Sequence, residues 1–123
     1  MGCDIHAHIE YERWEGEYIG WGFDIDINRN YTLFSVLANV RNGGEIGPIS
    51  EPRGLPKDIS MEVMEYYNEE RHDAHSCSWL NLNDLVEANK RINKLGLVNN
   101  DLDIIISIIE KLQNGRLVFW FDN

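Results

Sequence analysis

Four polar residues alternate along the start of the chain: Asp4, His6, His8 and Glu10, within Met-Gly-Cys-Asp-Ile-His-Ala-His-Ile-Glu. Successive side chains of a strand point to opposite faces, so these four share one face and Cys3, Ile5, Ala7 and Ile9 share the other. Imidazole nitrogen and carboxylate oxygen are the usual ligands of a divalent ion such as zinc or manganese, and also the usual groups of acid–base chemistry. His-x-His on a strand projects two rings in parallel about 7 Å apart. A third ligand must then come from elsewhere, with Asp24, Asp26, His72, Asp73, His75 and Asp122 as the candidates. The competing reading is an amphipathic strand whose polar face is wet.

Three further groups could complete such a site. His72-Asp-Ala-His75 places two imidazoles at i, i+3 and holds the other two of the four His in the chain; a pair of solvated loop residues is the plainer alternative. Arg53 precedes Gly54 in a proline-bearing loop, and Arg29 and Arg41 flank a helical segment. Arginine's planar fork suits phosphate or carboxylate, although an exposed arginine on a rigid loop asks for no ligand. Trp79, beside Ser76-Cys77-Ser78, offers a ring that could stack on a base; most such rings are core. Cys77 could act as a soft ligand but is more simply a small buried residue. Neither a phosphate-binding nor a dinucleotide-binding glycine motif is present. The resulting assignment is Asp4, His6, His8 and His75 on a divalent metal, Glu10 or Asp73 as general base, and Arg29, Arg41, Arg53 and Trp79 on substrate.

The elements that would position these residues follow from periodicity. Residues 3–14 and 18–27 predict two strands joined at Gly16, the second alternating Trp21, Phe23, Ile25 and Ile27 against Asp24 and Asp26. A loop centred on Gly16 sets Ile5 and Ile9 on one face with Phe23, Ile25 and Ile27, and gathers Asp24 and Asp26 with the His-bearing face. A one-residue slip would mix aspartate with isoleucine on both faces. Helices are predicted over residues 30–40, from Asp58 or Ser60 to about 71, from an Asn81 or Asn83 cap to Gly96, and over 100–113. Residues 72–79 read as a connection, and 45–57, with all three prolines, as a long loop. Residues 116–121, Arg-Leu-Val-Phe-Trp-Phe, predict a terminal strand pairing with the hairpin. The fold class expected is α+β, a small antiparallel sheet from the N-terminal hairpin and C-terminal strand packed against about four helices, in a single domain over 1–123. Phe119-Trp120-Phe121, if it lay at a sheet edge, could support a homodimer.

Composition narrows the partners. The 123 residues carry a formal net charge of −10, with eleven Lys and Arg and no cluster of them. Non-specific nucleic-acid binding is disfavoured, since it needs a basic patch. A small-molecule or nucleotide ligand is compatible, because a metal or a few arginines can supply local positive charge. The longest apolar run, near Ile104–Ile109, falls short of the ~20 residues that span a bilayer. No secretory pattern opens the chain, and two cysteines are too few for a disulfide framework. A cytoplasmic protein without membrane attachment is expected.

The opening decapeptide, together with Arg29-Asn-Tyr-Thr-Leu-Phe34, Leu37-Ala-Asn-Val-Arg-Asn42, Pro52-Arg-Gly-Leu-Pro56 with Asp58, and His75-Ser-Cys-Ser-Trp-Leu80, resembles a family of small uncharacterised proteins encoded by bacteriophages and prophages. The resemblance covers roughly residues 1–86 and implies a phage accessory protein acting in a bacterial host cell. Two functions are then expected to compete. One is a metal-dependent hydrolase of a phosphoester such as a small nucleotide. The other is a non-enzymatic anti-defence binder that sequesters a nucleotide signal or blocks a host defence protein, with acidic mimicry of nucleic acid as a variant.

Overall fold

The computed structural model describes residues 2–22, 25–44 and 46–123. Four strands form one antiparallel sheet in the order β2-β1-β4-β3: β1 (Asp4–Trp14), β2 (Glu17–Gly20), β3 (His75–Asn81) and β4 (Arg116–Asp122). The helices are α1 (Tyr31–Ala38), α2 (Met61–Glu70), α3 (Leu82–Lys94) and α4 (Asn100–Ile109). The architecture is α+β, with the N-terminal hairpin and the C-terminal strand packed on helices.

The C-terminal strand is apolar almost throughout because it is buried on both faces. β4 lies between β1 and β3, and Leu117, Phe119 and Phe121 point into the main core with Phe34, Leu85, Leu102 and Ile109. Val118 and Trp120 point the other way, onto a smaller cluster with Val63 of α2 and with Ile59, Tyr67, Cys77 and Trp79. Each fully buried side chain of this size contributes roughly 1.5–3 kcal/mol, so β4 is the strand around which both layers assemble. Its central position also removes the basis for edge-to-edge pairing. Phe119, Trp120 and Phe121 are all fully buried and cannot serve as a homodimer edge.

The helix starts are set by asparagine and serine caps. Asn30, Ser60, Asn81 and Asn99 each accept the backbone N–H three residues on, and Asp84 returns the bond to Asn81 in a capping box. Gly96, at φ 79°, ends the turn after α3 as expected.

Two expectations change. The second strand is shorter than residues 18–27, since regular pairing stops at Gly20 and resumes only as an isolated bridge between Ala7 and Ile25. That bridge has the register expected from a loop at Gly16, and Ile27 is buried, but Phe23 and Asp24 lie outside the described residues. The stretch 72–79, read as a connection, instead contributes most of β3 (His75–Asn81). A register shift between His75 and Ser78, with Ser76 at φ 55°, breaks the alternation that would have marked a strand. The proline-bearing loop then covers the outer side of β3. Gly54 N–H donates to Cys77 O at 2.8 Å, Arg53 N–H to Ser78 Oγ at 3.0 Å, and Arg53 Nη1 to Trp79 O at 3.1 Å. An otherwise open sheet edge is thereby blocked.

Candidate functional site

The polar face of β1 is the seat of α2. Strand and helix run past each other so that successive β1 residues meet different parts of the helix and its approach. Glu10 meets the cap Ser60, His8 meets Tyr66, and His6 meets Glu70. The residues directly across on β4, Arg116, Val118, Trp120 and Asp122, complete the same face. All four alternating residues therefore have protein partners: an arginine each for Asp4 and Glu10, aromatic rings for His8 and carboxylates for His6.

At one end, Glu10 is fully buried. Its Oε1 accepts from Arg116 at 2.8 Å (Nε) and 2.7 Å (Nη2), and its Oε2 accepts from Ser60 N–H at 2.6 Å. Arg116 also donates to Asp58 Oδ1 at 2.8 Å and lies 3.6 Å above the Tyr18 ring. A carboxylate sealed in this way has no solvent water to activate, so its burial argues both against Glu10 as general base and against a wet face at this position. His8 is stacked between Tyr66, at a centroid distance of 4.6 Å, and Trp120, at 5.2 Å. At the other end, Asp4 receives a two-pronged pair of hydrogen bonds from Arg29, both at 2.9 Å. The Arg29 hydrogen bonds hold the Asp4 carboxyl below the usual aspartate value, and the same bonds raise Arg29.

His6, 31% exposed, is the imidazole of this face that opens onto carboxylates, whereas His8 borders a smaller pocket with Glu62 and Tyr66. Its Nε2 lies 2.6 Å from Asp122 Oδ2, and its Nδ1 lies 3.5 Å from Glu70 Oε2. An ionised carboxylate can only accept, so the proton of a neutral ring sits on Nε2 and the Nδ1 lone pair faces Glu70. Glu70 is itself oriented by Trp120 Nε1–H, which donates to Oε2 at 2.8 Å. These groups border a pocket of about 190 Å3 that Glu69, Asp73 and Ala74 also line. Among the described residues, no Lys or Arg pairs with Glu69, Glu70, Asp73 or Asp122. The sequence-predicted residues that meet here are His6 and Asp73, with Asp122 from the wider candidate set. Glu70 was not singled out by spacing to β1. Its signal was the Tyr66–Glu70 spacing of i, i+4, which puts an aromatic and a carboxylate on one helix face.

The other predicted residues stand elsewhere. His75 Nδ1 contacts Ser76 Oγ at 2.9 Å, and Nε2 contacts Asn123 Oδ1 at 3.1 Å. Arg53 is ion-paired with Asp84 at 2.7 Å and lies 5.0 Å from the centre of the Trp79 ring. Arg41 lies 5.4 Å from the centre of the Tyr31 ring, in the lining of a separate pocket. The four expected metal ligands Asp4, His6, His8 and His75 are therefore not brought to one point. Among the described residues no three His, Cys, Asp or Glu side chains are arrayed as a metal site. Burial raises the Cys77 thiol, which is hydrogen-bonded with Tyr67. The phenol of Tyr67 is raised by burial and by Cys77. No protein-family model matches the chain, and comparison with curated proteins and with solved structures returned no match. Among the described residues no helix is long and apolar enough to cross a membrane.

Proposed function

We propose that the pocket beside His6 binds a divalent cation, and that the chain acts as a small metal-dependent phosphoester hydrolase of the phage-accessory kind. The reading rests chiefly on the Asp122–His6 pair. A carboxylate that fixes the imidazole tautomer and turns the other nitrogen toward a pocket is the usual support of a metal-ligating or proton-transferring histidine. Glu70, held by Trp120, is the second donor, and Glu69 or Asp73 would supply the third by rotation about its side-chain bonds. A cation held there would act as a Lewis acid and lower the pKa of bound water. In this revised set His6 keeps its sequence-derived place as a ligand and Asp73 moves from general base to candidate third donor, while Asp4, His8, His75 and Glu10 leave the site.

The test is metal titration by calorimetry with zinc and manganese, alongside elemental analysis of protein purified without chelator. About one ion per chain is expected, lost in His6→Ala and Glu70→Gln and retained in His75→Ala. Protein that stays metal-free after dialysis against both ions would retire the reading. With metal bound, hydrolysis of bis-p-nitrophenyl phosphate or dinucleotides then decides the activity.

A second reading is favoured by the arginines. Arg29 and Arg53, expected to grip phosphate, are already paired with Asp4 and Asp84. A net charge of −10 and an acidic pocket suit a basic group of a host protein better than a phosphate. Metal binding without hydrolysis, or no metal binding at all together with stoichiometric capture of a host protein, would move the assignment to a non-enzymatic anti-defence binder.

A further inference from the structure

We propose that the cavity at the Arg116 end of the sheet binds a neutral purine nucleoside, with the Asn83 side-chain amide pairing the edge of the base. The cavity has a volume of about 440 Å3, inside the roughly 300–1,000 Å3 range of small-molecule sites. Tyr18 of β2 and Trp79 of β3 line it, so the two outer strands each bring it a ring. Asn81, Asn83 and Asn114 add side-chain amides to the same lining. Flat apolar rings beside amides match a planar heterocycle that carries donors and acceptors along its edge. Among the described residues that line the cavity none is acidic, although the chain carries 21 Asp and Glu. The one charged member, Arg116, is held by Glu10 and Asp58.

Backbone geometry accounts for two of the three asparagines. Asn81 caps α3, its Oδ1 accepting from Asp84 N–H at 2.9 Å, and Asn114 is a left-handed turn residue at φ 48°. Asn83 does neither. It is exposed in the first turn of α3, and among the described residues its side chain makes no hydrogen bond. An amide with its N–H2 and its oxygen both available can take a purine edge with two hydrogen bonds, the pairing asparagine makes with adenine. Charge then selects among purine ligands. Carboxylates stand behind the lining, Asp58 on Arg116, Glu12 on Asn114 and Asp84 on Asn81. Arg53, against the Trp79 ring, is occupied by Asp84 at 2.7 Å and does not offset them. In a chain of net charge −10 these groups repel a phosphate, so a nucleoside fits better than its phosphorylated form. Arg116 and Trp120 stand four residues apart on β4, about 13 Å along the strand. The cavity is therefore separate from the His6 pocket, and neither proposal depends on the other.

Isothermal titration calorimetry of the intact chain with adenosine, run without divalent ions, tests the proposal apart from any metal at His6. Adenosine is expected to bind at one site per chain, with cytidine and adenosine monophosphate each weaker by about fivefold or more. Asn83→Ala removes the amide, and Asn83→Asp keeps its shape but loses the N–H2 donor. Each should weaken adenosine binding by about tenfold or more. A carboxylate in the first turn of a helix is stabilising, so Asn83→Asp separates lost binding from lost folding, and thermal melts check both variants. Asn93→Ala, exposed on the same helix and outside the cavity, is the control expected to bind as the wild type does. No binding of adenosine at millimolar concentration overturns the proposal. So does adenosine binding that survives both Asn83 substitutions, or cytidine or the monophosphate binding as tightly as adenosine.

Discussion

Replacing Glu10 by Gln tests whether the polar face of β1 is structural. The pair it forms with Arg116 spans the two central strands in direct register, and Glu10 has no exposed surface. Glutamine keeps one acceptor oxygen where the carboxylate had two. That oxygen can serve Ser60 N–H or the guanidinium, but not both, and the new amide N–H2 points donor to donor at the remaining partner. Arg116 keeps Asp58, which is 56% exposed and so compensates only in part. Breaking a buried pair from one side costs about 3–5 kcal/mol, against a total stability on the order of 6–18 kcal/mol for a chain of this length. At roughly 3–6 °C per kcal/mol, the melting midpoint should fall by roughly 10–25 °C. Combining Glu10→Gln with Arg116→Met changes the outcome. The amide oxygen is then free for Ser60, the methionine stem fills the space under Tyr18, and no buried cation is left. The double variant should cost about 1–2 kcal/mol, less than either single change. Chemical denaturation of the four proteins in a double-mutant cycle gives the coupling directly. A loss below about 1 kcal/mol in Glu10→Gln, or a double variant equal to the sum of the singles, would refute the reasoning.

Other consequences are read more quickly. Gly115→Ala should destabilise by about 1–3 kcal/mol, because a Cβ there would sit 2.9 Å from Ile109 Cγ2 and 3.0 Å from the Ile109 carbonyl; urea denaturation checks it. The Asp4 carboxyl should titrate below an ordinary aspartate by NMR, and its midpoint should rise toward the ordinary value in Arg29→Gln. Since its folded pKa is the lower one, the stability it adds is present above the unfolded value and is lost as pH falls through the folded one. High salt should shrink that difference, because both partners are about half exposed. Cys3 and Cys77 are both raised, chiefly by burial, so Ellman's reagent should label neither rapidly at neutral pH and both on unfolding; rapid labelling in the folded state would contradict that burial.

Much of the scaffold was legible because its signals are local. The asparagine and serine caps, the turns at Gly16 and Gly96, and the unbroken apolar run of β4 each mark an element without reference to anything distant. β3 was hidden because its bulge at Ser76 spoils the two-residue period over a strand of seven. The covering of the His-bearing face by α2 was hidden for a different reason. α2 buries only Val63 fully, and meets the sheet through Ser60, Tyr66, Tyr67 and Glu70 rather than through an apolar stripe. By sequence it resembles a solvated acidic helix, and nothing in its period says that it lies on imidazoles.

Alternating Asp, His, His and Glu on a strand can be satisfied by water, by a metal ion or by protein groups, and the sequence pattern is the same in all three cases. What separates them is the burial of each position, which runs in one direction along β1. Glu10 is sealed, His6 is 31% exposed and Asp4 is 51% exposed. Solvent-dependent chemistry cannot occur at the sealed end, where Arg116 and Ser60 already saturate the carboxylate. At the open end, Arg29 neutralises Asp4. His6 combines partial exposure, a short contact to Asp122 and carboxylates that, among the described residues, pair with no Lys or Arg. The arrangement thus divides the motif by depth, with the inner half fixing α2 to the sheet and the outer half leaving one imidazole edge turned toward an acidic pocket.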